Sequence, residues 1–211
     1  MPRSQLGGFV VRTFLWLPPC FALWVVCAPA LAGVLGVVAG AMVDLLYPGL
    51  VTALERQESV LTFVTTIKVH PTPGATALLL PEVSALLYTY GLPLYAALAL
   101  AARTKWWMLI VGALLLAPFQ AWGIAFDFLS QVGIKMSPEI TLQSGIYGAK
   151  REAIALGYQL GSLIFPTLAP VIVWAAGSRT FVAGLMTKHA APATAIAPDC
   201  QAETSKADGS K

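Results

Sequence analysis

Between Thr13 and Val43 the sequence runs for 31 residues without one charged side chain. Built as a helix, that run is about 46 Å long, which exceeds the ~30 Å hydrocarbon core of a bilayer. Pro18, Pro19 and Pro29 fall inside it and can kink a helix, whereas two antiparallel spans would leave no residues for a turn. The run therefore reads as one bent or tilted membrane helix with an end projecting from the bilayer. Arg3 and Arg12 ahead of it, with Ala30-Leu31-Ala32 inside it, also have the form of a signal peptide with a small-residue cleavage site, but the apolar stretch continues well past that site, as in an uncleaved anchor. Cys20 follows Leu17-Pro18-Pro19 and Cys27 follows Trp24-Val25-Val26, so neither has the small preceding residue of a lipoprotein site.

Three further apolar runs follow, over 85–102, 106–126 and 153–177. Arg103-Thr104-Lys105 separates the first two, and three residues can only turn, so these helices are antiparallel neighbours with Trp106 and Trp107 at the interface where indoles prefer to lie. The expected fold is an all-α integral membrane protein of four transmembrane helices over residues 1–188, with both termini on one side. Composition agrees: 57% of the chain is hydrophobic and 11% charged, against roughly 25% charged in a soluble domain. Basic residues set orientation, yet Arg3, Arg12, Arg103, Lys105, Arg179 and Lys188 on one side face Arg56, Lys68, Lys135, Lys150 and Arg151 on the other. The short 103–105 loop and the Arg12 flank carry the most weight, and both put the termini in the cytoplasm of a bacterial inner membrane.

Two outer loops are expected, 44–84 and 127–152. Val60 to Val69 is rich in β-branched residues and reads as a strand. His70-Pro71-Thr72-Pro73-Gly74 is a turn signal, and Ala75 to Leu80 returns, giving a small extracytoplasmic β-hairpin or meander between helices 1 and 2. Such a hairpin is marginal alone and needs the second loop as a partner; there, Phe128, Leu129, Val132, Ile134 and Met136 suit a short interfacial helix. Residues 189–211, mostly Ala, Pro, Thr, Ser and charge, form an aperiodic, disordered tail.

Net charge +3 with scattered basic residues gives no footprint for nucleic acid. Cys20 and Cys27 are about 10.5 Å apart along a helix, too far to bridge, Cys200 stands alone in the tail, and no spacing suits a metal or other cofactor. A thiol enzyme needs a base near its nucleophile, but the two histidines are His70, in the turn, and His189, in the tail. Both membrane cysteines read as small packing residues. Intramembrane charges would mark a transport path; here Asp44, Glu82, Asp127 and Glu152 form a rim at span ends. Gln120 and Asp127 share a helix face, and Tyr158 and Gln159 lie just inside the fourth span, so a polar group can converge beneath the outer loops to dock a loop or partner. Asp127, at the end of its span, opposes the helix dipole and calls for a cationic partner, for which Lys150 or Arg151 is the candidate. Gly36 with Gly40, and Gly157 with Gly161, are small-xxx-small faces that allow close helix packing.

Several segments together carry a family resemblance. They are Leu15-Trp16-Leu17-Pro18 with Cys20-Phe21-Ala22-Leu23-Trp24; Leu87-Tyr88 with Tyr90-Gly91-Leu92-Pro93-Leu94; Pro118-Phe119-Gln120-Ala121-Trp122-Gly123 with Phe126-Asp127; and Arg151 to Gly161 with Pro166-Thr167-Leu168-Ala169-Pro170. Over roughly residues 10–180 the chain resembles the small membrane protein found beside exosortase H in Gram-negative bacteria. The resemblance implies a partner in a sorting system whose exosortase cuts substrates at a C-terminal tripartite anchor near the outer face of the inner membrane. It implies no catalytic residues for this chain. The expected function is that of a non-catalytic accessory protein that binds exosortase H, its substrate or both. Its rivals are a membrane thiol hydrolase using Cys20 or Cys27, and a small transporter subunit.

Overall fold

The computed structural model describes residues 5–72 and 75–179. The expectations for the tail, including His189 and Cys200, and for the His70 side chain lie outside the described residues. The first apolar run forms α1, Gln5–Leu46, a single 42-residue helix with Pro18, Pro19 and Pro29 inside it. At 1.5 Å per residue it is about 63 Å long, twice the thickness of a hydrocarbon core.

The carboxyl half of α1 carries a small sheet. Strands β1 (Val51–Gln57), β2 (Val60–Thr65) and β5 (Glu82–Ser84) pair antiparallel in the order β1-β2-β5, and β3 (Lys68–Thr72) pairs with β4 (Ala75–Leu78). Gly36 of α1 lets the sheet approach closely: a Cβ built there would lie 2.8 Å from a Leu61 methyl. Nearer the amino end, Arg56 Nη1 donates to the Pro29 carbonyl at 2.6 Å, so the β1–β2 hairpin reaches back along α1 by some 17 residues.

The chain does reverse between β3 and β4, but the expected single strand over 60–69 is two strands. Thr65 explains the break, because its hydroxyl donates to Leu79 O at 2.8 Å and accepts from Ile67 N at 3.3 Å, replacing regular ladder bonds. On the returning side Pro81 has no N–H to give, yet its carbonyl accepts from Phe63 N at 3.0 Å and keeps the strands in register. β1, with Glu55 and Arg56, is an added strand that the charge pattern had hidden.

Beyond the sheet come α2 (Leu86–Thr89) and α3 (Gly91–Ala101), then α4 (Trp106–Ser130), which continues as a π-helical turn over Gln131–Lys135. The expected end of the span at 126 is corrected here: the helix runs through Asp127 and on for eight more residues. Phe128, Leu129 and Val132 are fully buried, with the Phe128 and Phe63 rings stacked at 4.5 Å, so burial against the sheet prolongs the helix. A short α5 (Pro138–Ser144) ends on left-handed Gly145, and α6 (Ala149–Gln159), a second π turn (Leu160–Ile164) and α7 (Phe165–Gly177) form one continuous rod. Among the described residues three helices are long and apolar enough to cross a membrane, Leu6–Leu46, Trp106–Lys135 and Ala149–Gly177, while Leu86–Ala101 is a shorter apolar stretch.

Candidate functional site

The one buried charged residue among those described, Asp127, lies where α2, α4 and α6 meet. Asp127 of α4 is only 7% exposed, and its Oδ1 lies 3.3 Å from Lys135 Nζ. The same ammonium stands over the Tyr158 ring of α6, 4.5 Å from the centroid, close enough for a cation–π contact. Tyr88 of α2 is buried close enough to Asp127 for the carboxylate's charge to act on its phenol. A carboxylate in an apolar interior needs such neighbours, since isolated burial of its charge costs several kcal/mol. Lys135 also sits at the carboxyl end of its helix, where a cation complements the macrodipole.

Backbone contact around this cluster is close because the side chains there are missing. A Cβ on Gly157 would collide with the Phe126 ring, and one on Gly161 would come within 2.8 Å of Gly123 Cα. Trp122 Nε1 donates to Gly157 O at 3.1 Å, and its ring stacks on Phe126 at 4.4 Å. From α1, Trp24 Nε1 reaches Thr89 Oγ1 at 3.2 Å, fastening α2 from the other side. Gly157 and Gly161 thus stand where α4 and the last rod approach closely. Gly36 packs against the sheet, and Gly40 has nothing within 4 Å of where a Cβ would be.

Of the polar residues expected to converge, the structure brings Asp127 and Tyr158 together and buries Gln120 seven positions along α4. It leaves Lys150, Arg151, Glu152 and Gln159 exposed. The cationic partner of Asp127 is Lys135, in place of the expected Lys150 or Arg151, because the prolonged helix delivers Lys135 to the cluster. Lys150 instead stands 5.7 Å from the Tyr47 ring centroid, and burial pushes the Tyr47 phenol above its ordinary value. Tyr88 and Lys135 are the members that sequence reasoning missed. Cys20 is buried and Cys27 exposed, both free thiols on α1.

The arrangement can hold charge and join three helices, and its ionisable groups are occupied with one another. The family model described as exosortase H-associated membrane protein matches residues 3–181. The chain belongs to this family. The match covers all of the described helices and the sheet between α1 and α2. No curated protein and no solved structure matches the chain. The family name links this membrane protein to exosortase H, and hence to a membrane-protein partner.

Proposed function

We propose that this exosortase H-associated protein is a four-span, non-catalytic accessory of an exosortase-type sorting system in the bacterial inner membrane. It binds the exosortase, its C-terminally anchored substrates or both at the outer face, and both of its own termini are cytoplasmic. The observation that carries this reading is how the Asp127–Lys135 pair is used: the best-placed ionisable groups are closed on each other and on Tyr88 and Tyr158, in a joint between the helices and the sheet. A joint of this kind supports a docking platform.

The placement of the platform follows from what each helix can leave in hydrocarbon. Arg56 touches α1 at Pro29, and a guanidinium is costly near the bilayer centre, so with Arg12 at the other end the membrane-buried part of α1 is Thr13 to Ala28, about 24 Å. On α4 the large exposed apolar side chains run from Trp106 to Phe119 and then stop. Leu86–Ala101, about 24 Å long, and the Phe165–Gly177 end of the last rod complete the bundle. The sheet, α5, α6 and the carboxyl ends of α1 and α4 then stand outside the hydrocarbon. Arg12, Arg103 and Lys105 favour the opposite, cytoplasmic side.

Crosslinking the full-length protein in native membranes, followed by identification of the attached proteins, tests the reading. The expected product contains the exosortase or one of its anchored substrates. Normal processing and sorting in a strain lacking this protein would overturn it.

A further inference from the structure

A second polar feature lies deeper, and the Asp127 joint does not account for it. Gln120 sits about 21 Å along α4 from Trp106, is 6% exposed, and makes no hydrogen bond to any of the described residues. It lines a small notch together with Gly91, Leu116, Phe119, Pro166 and Pro170. The notch has room for about one water-sized group. Pro166 lines it from α7, and its carbonyl packs against Gly91: a Cβ there would lie 2.7 Å from that oxygen, so the missing side chain is what lets the two helices approach beside the notch. Pro170 lacks the N–H that would bond the Pro166 carbonyl in a regular helix. A residue with an unpaired amide and one whose carbonyl lacks its helical partner therefore line the same small space among mostly apolar side chains. Polar groups in hydrocarbon are expected to find partners across helices.

Size and chemistry together select the ligand. The Gln120 amide offers N–H donors, the Pro166 carbonyl only accepts, and the group between them must do both within the volume of one oxygen. A hydroxyl fits; a carboxamide, carboxylate or ring does not. The mouth is flanked by Phe119, which is 38% exposed and ends the apolar row of α4 that includes Leu115, so the hydroxyl would arrive on an otherwise apolar surface. We propose that the notch receives a serine or threonine of a partner's transmembrane helix, whose hydroxyl accepts from the Gln120 amide and donates to the Pro166 carbonyl. The proposal rests on the accessory reading and specifies the partner chemistry: a membrane helix docked against α4 and α7 by one buried hydroxyl.

A photo-crosslinking residue at Phe119 of the full-length protein, in native membranes, tests it, with a second one at Val11 on the exposed face of α1 as a reference. The expected result is capture at position 119 of a peptide from an apolar segment of the partner that contains serine or threonine. Gln120→Met and Gln120→Leu should each lower that yield about threefold or more at equal membrane levels, the range of an interhelical hydrogen bond. Replacing the captured serine or threonine by alanine should lower it equally, with no further loss when combined with Gln120→Met. That partner-side change reads the same bond with this chain unaltered, so it serves even if a Gln120 variant fails to accumulate. An unchanged yield in these variants, as when a water or lipid fills the notch, overturns the proposal. Capture of the partner at position 11 but only lipid at 119 overturns it and leaves the accessory reading standing. Capture of no protein at either position counts against both.

Discussion

Lys135 Nζ reaches Asp127 Oδ1 at 3.3 Å although eight residues of one continuous helix separate them. In a regular α-helix eight residues rise about 12 Å, beyond what the two side chains would comfortably bridge. The π-helical turn at Gln131–Lys135 widens the helix and shortens its rise, and the lysine folds back toward the amino end. The pair is unequal: the Lys135 side chain is 49% exposed and that of Asp127 10%. Removing one partner is therefore not equivalent to removing the other.

Lys135→Met should destabilise the protein more than Asp127→Asn does. The first leaves a buried carboxylate with only Tyr88 beside it, an effect of about 1–3 kcal/mol; the second leaves a lysine that can turn to solvent, at about 1 kcal/mol or less. Glu139→Gln, on exposed α5, should be nearly neutral. Thermal unfolding of the purified variants in one detergent gives the order, and a larger loss for Asp127→Asn than for Lys135→Met would refute the assigned asymmetry.

The glycines separate in the same measurement. Gly161→Ala puts a methyl 2.8 Å from Gly123 Cα, a backbone atom that cannot rotate away, and overpacking of this kind costs about 1–3 kcal/mol. Gly40→Ala meets nothing within 4 Å and gains the helical preference of Ala over Gly, up to about 1 kcal/mol. Gly161→Ala should lower the midpoint and Gly40→Ala should hold or raise it. Equal losses would mean that close backbone approach at Gly161 is not what holds α4 against the last rod.

The sequence carries the helical runs and the return of β4 along β3 because each rests on local chemistry: apolar length, and proline and glycine turn residues. It conceals what depends on partners. Asp127 looks like a helix end because a charge closes an apolar run, and only the burial of Phe128 and Leu129 against the sheet carries the helix past it. Lys135 is invisible as its partner because positions eight apart are not neighbours on a regular helix, and the π turn that changes this has no sequence signature. Tyr88 was one aromatic residue in an apolar run, and its role exists only once α2 lies across Gly123. β1 was hidden for the opposite reason: an exposed edge strand can be polar on both faces.

Replacing Cys20, Cys27 and Cys200 together with alanine should leave sorting within about twofold of normal. Cys20 is a packing residue whose thiol is buried in α1, and Cys27 faces outward beside exposed Val25 and Val26, so each loss is that of a small apolar side chain. Substrate processing in membranes from the variant strain is the measurement. Abolished processing, with the protein still at normal levels, would instead require thiol chemistry.

The orientation can be read with single cysteines placed by the contacts of α1 in the triple-cysteine variant. In the proposed placement the helix beyond Pro29, whose carbonyl Arg56 reaches, lies where a guanidinium is tolerated, outside the hydrocarbon centre. Val34 and Val37 are on that half and exposed, whereas Leu15 is exposed on the half assigned to lipid. In intact cells with permeabilised outer membranes, an impermeant maleimide should label Val34→Cys and Val37→Cys but not Leu15→Cys, since a thiol reacts as its hydrated thiolate. Reporter fusions should agree, cytoplasmic after Lys105 and Lys188 and periplasmic within 60–76. Labelling of Val34→Cys only after the inner membrane is broken, with a cytoplasmic reading from 60–76, would place the sheet inside the cell. The weight given to Arg12, Arg103 and Lys105 over Lys68, Lys135, Lys150 and Arg151 would then be wrong, and a platform for extracytoplasmic sorting would have no access to its partners.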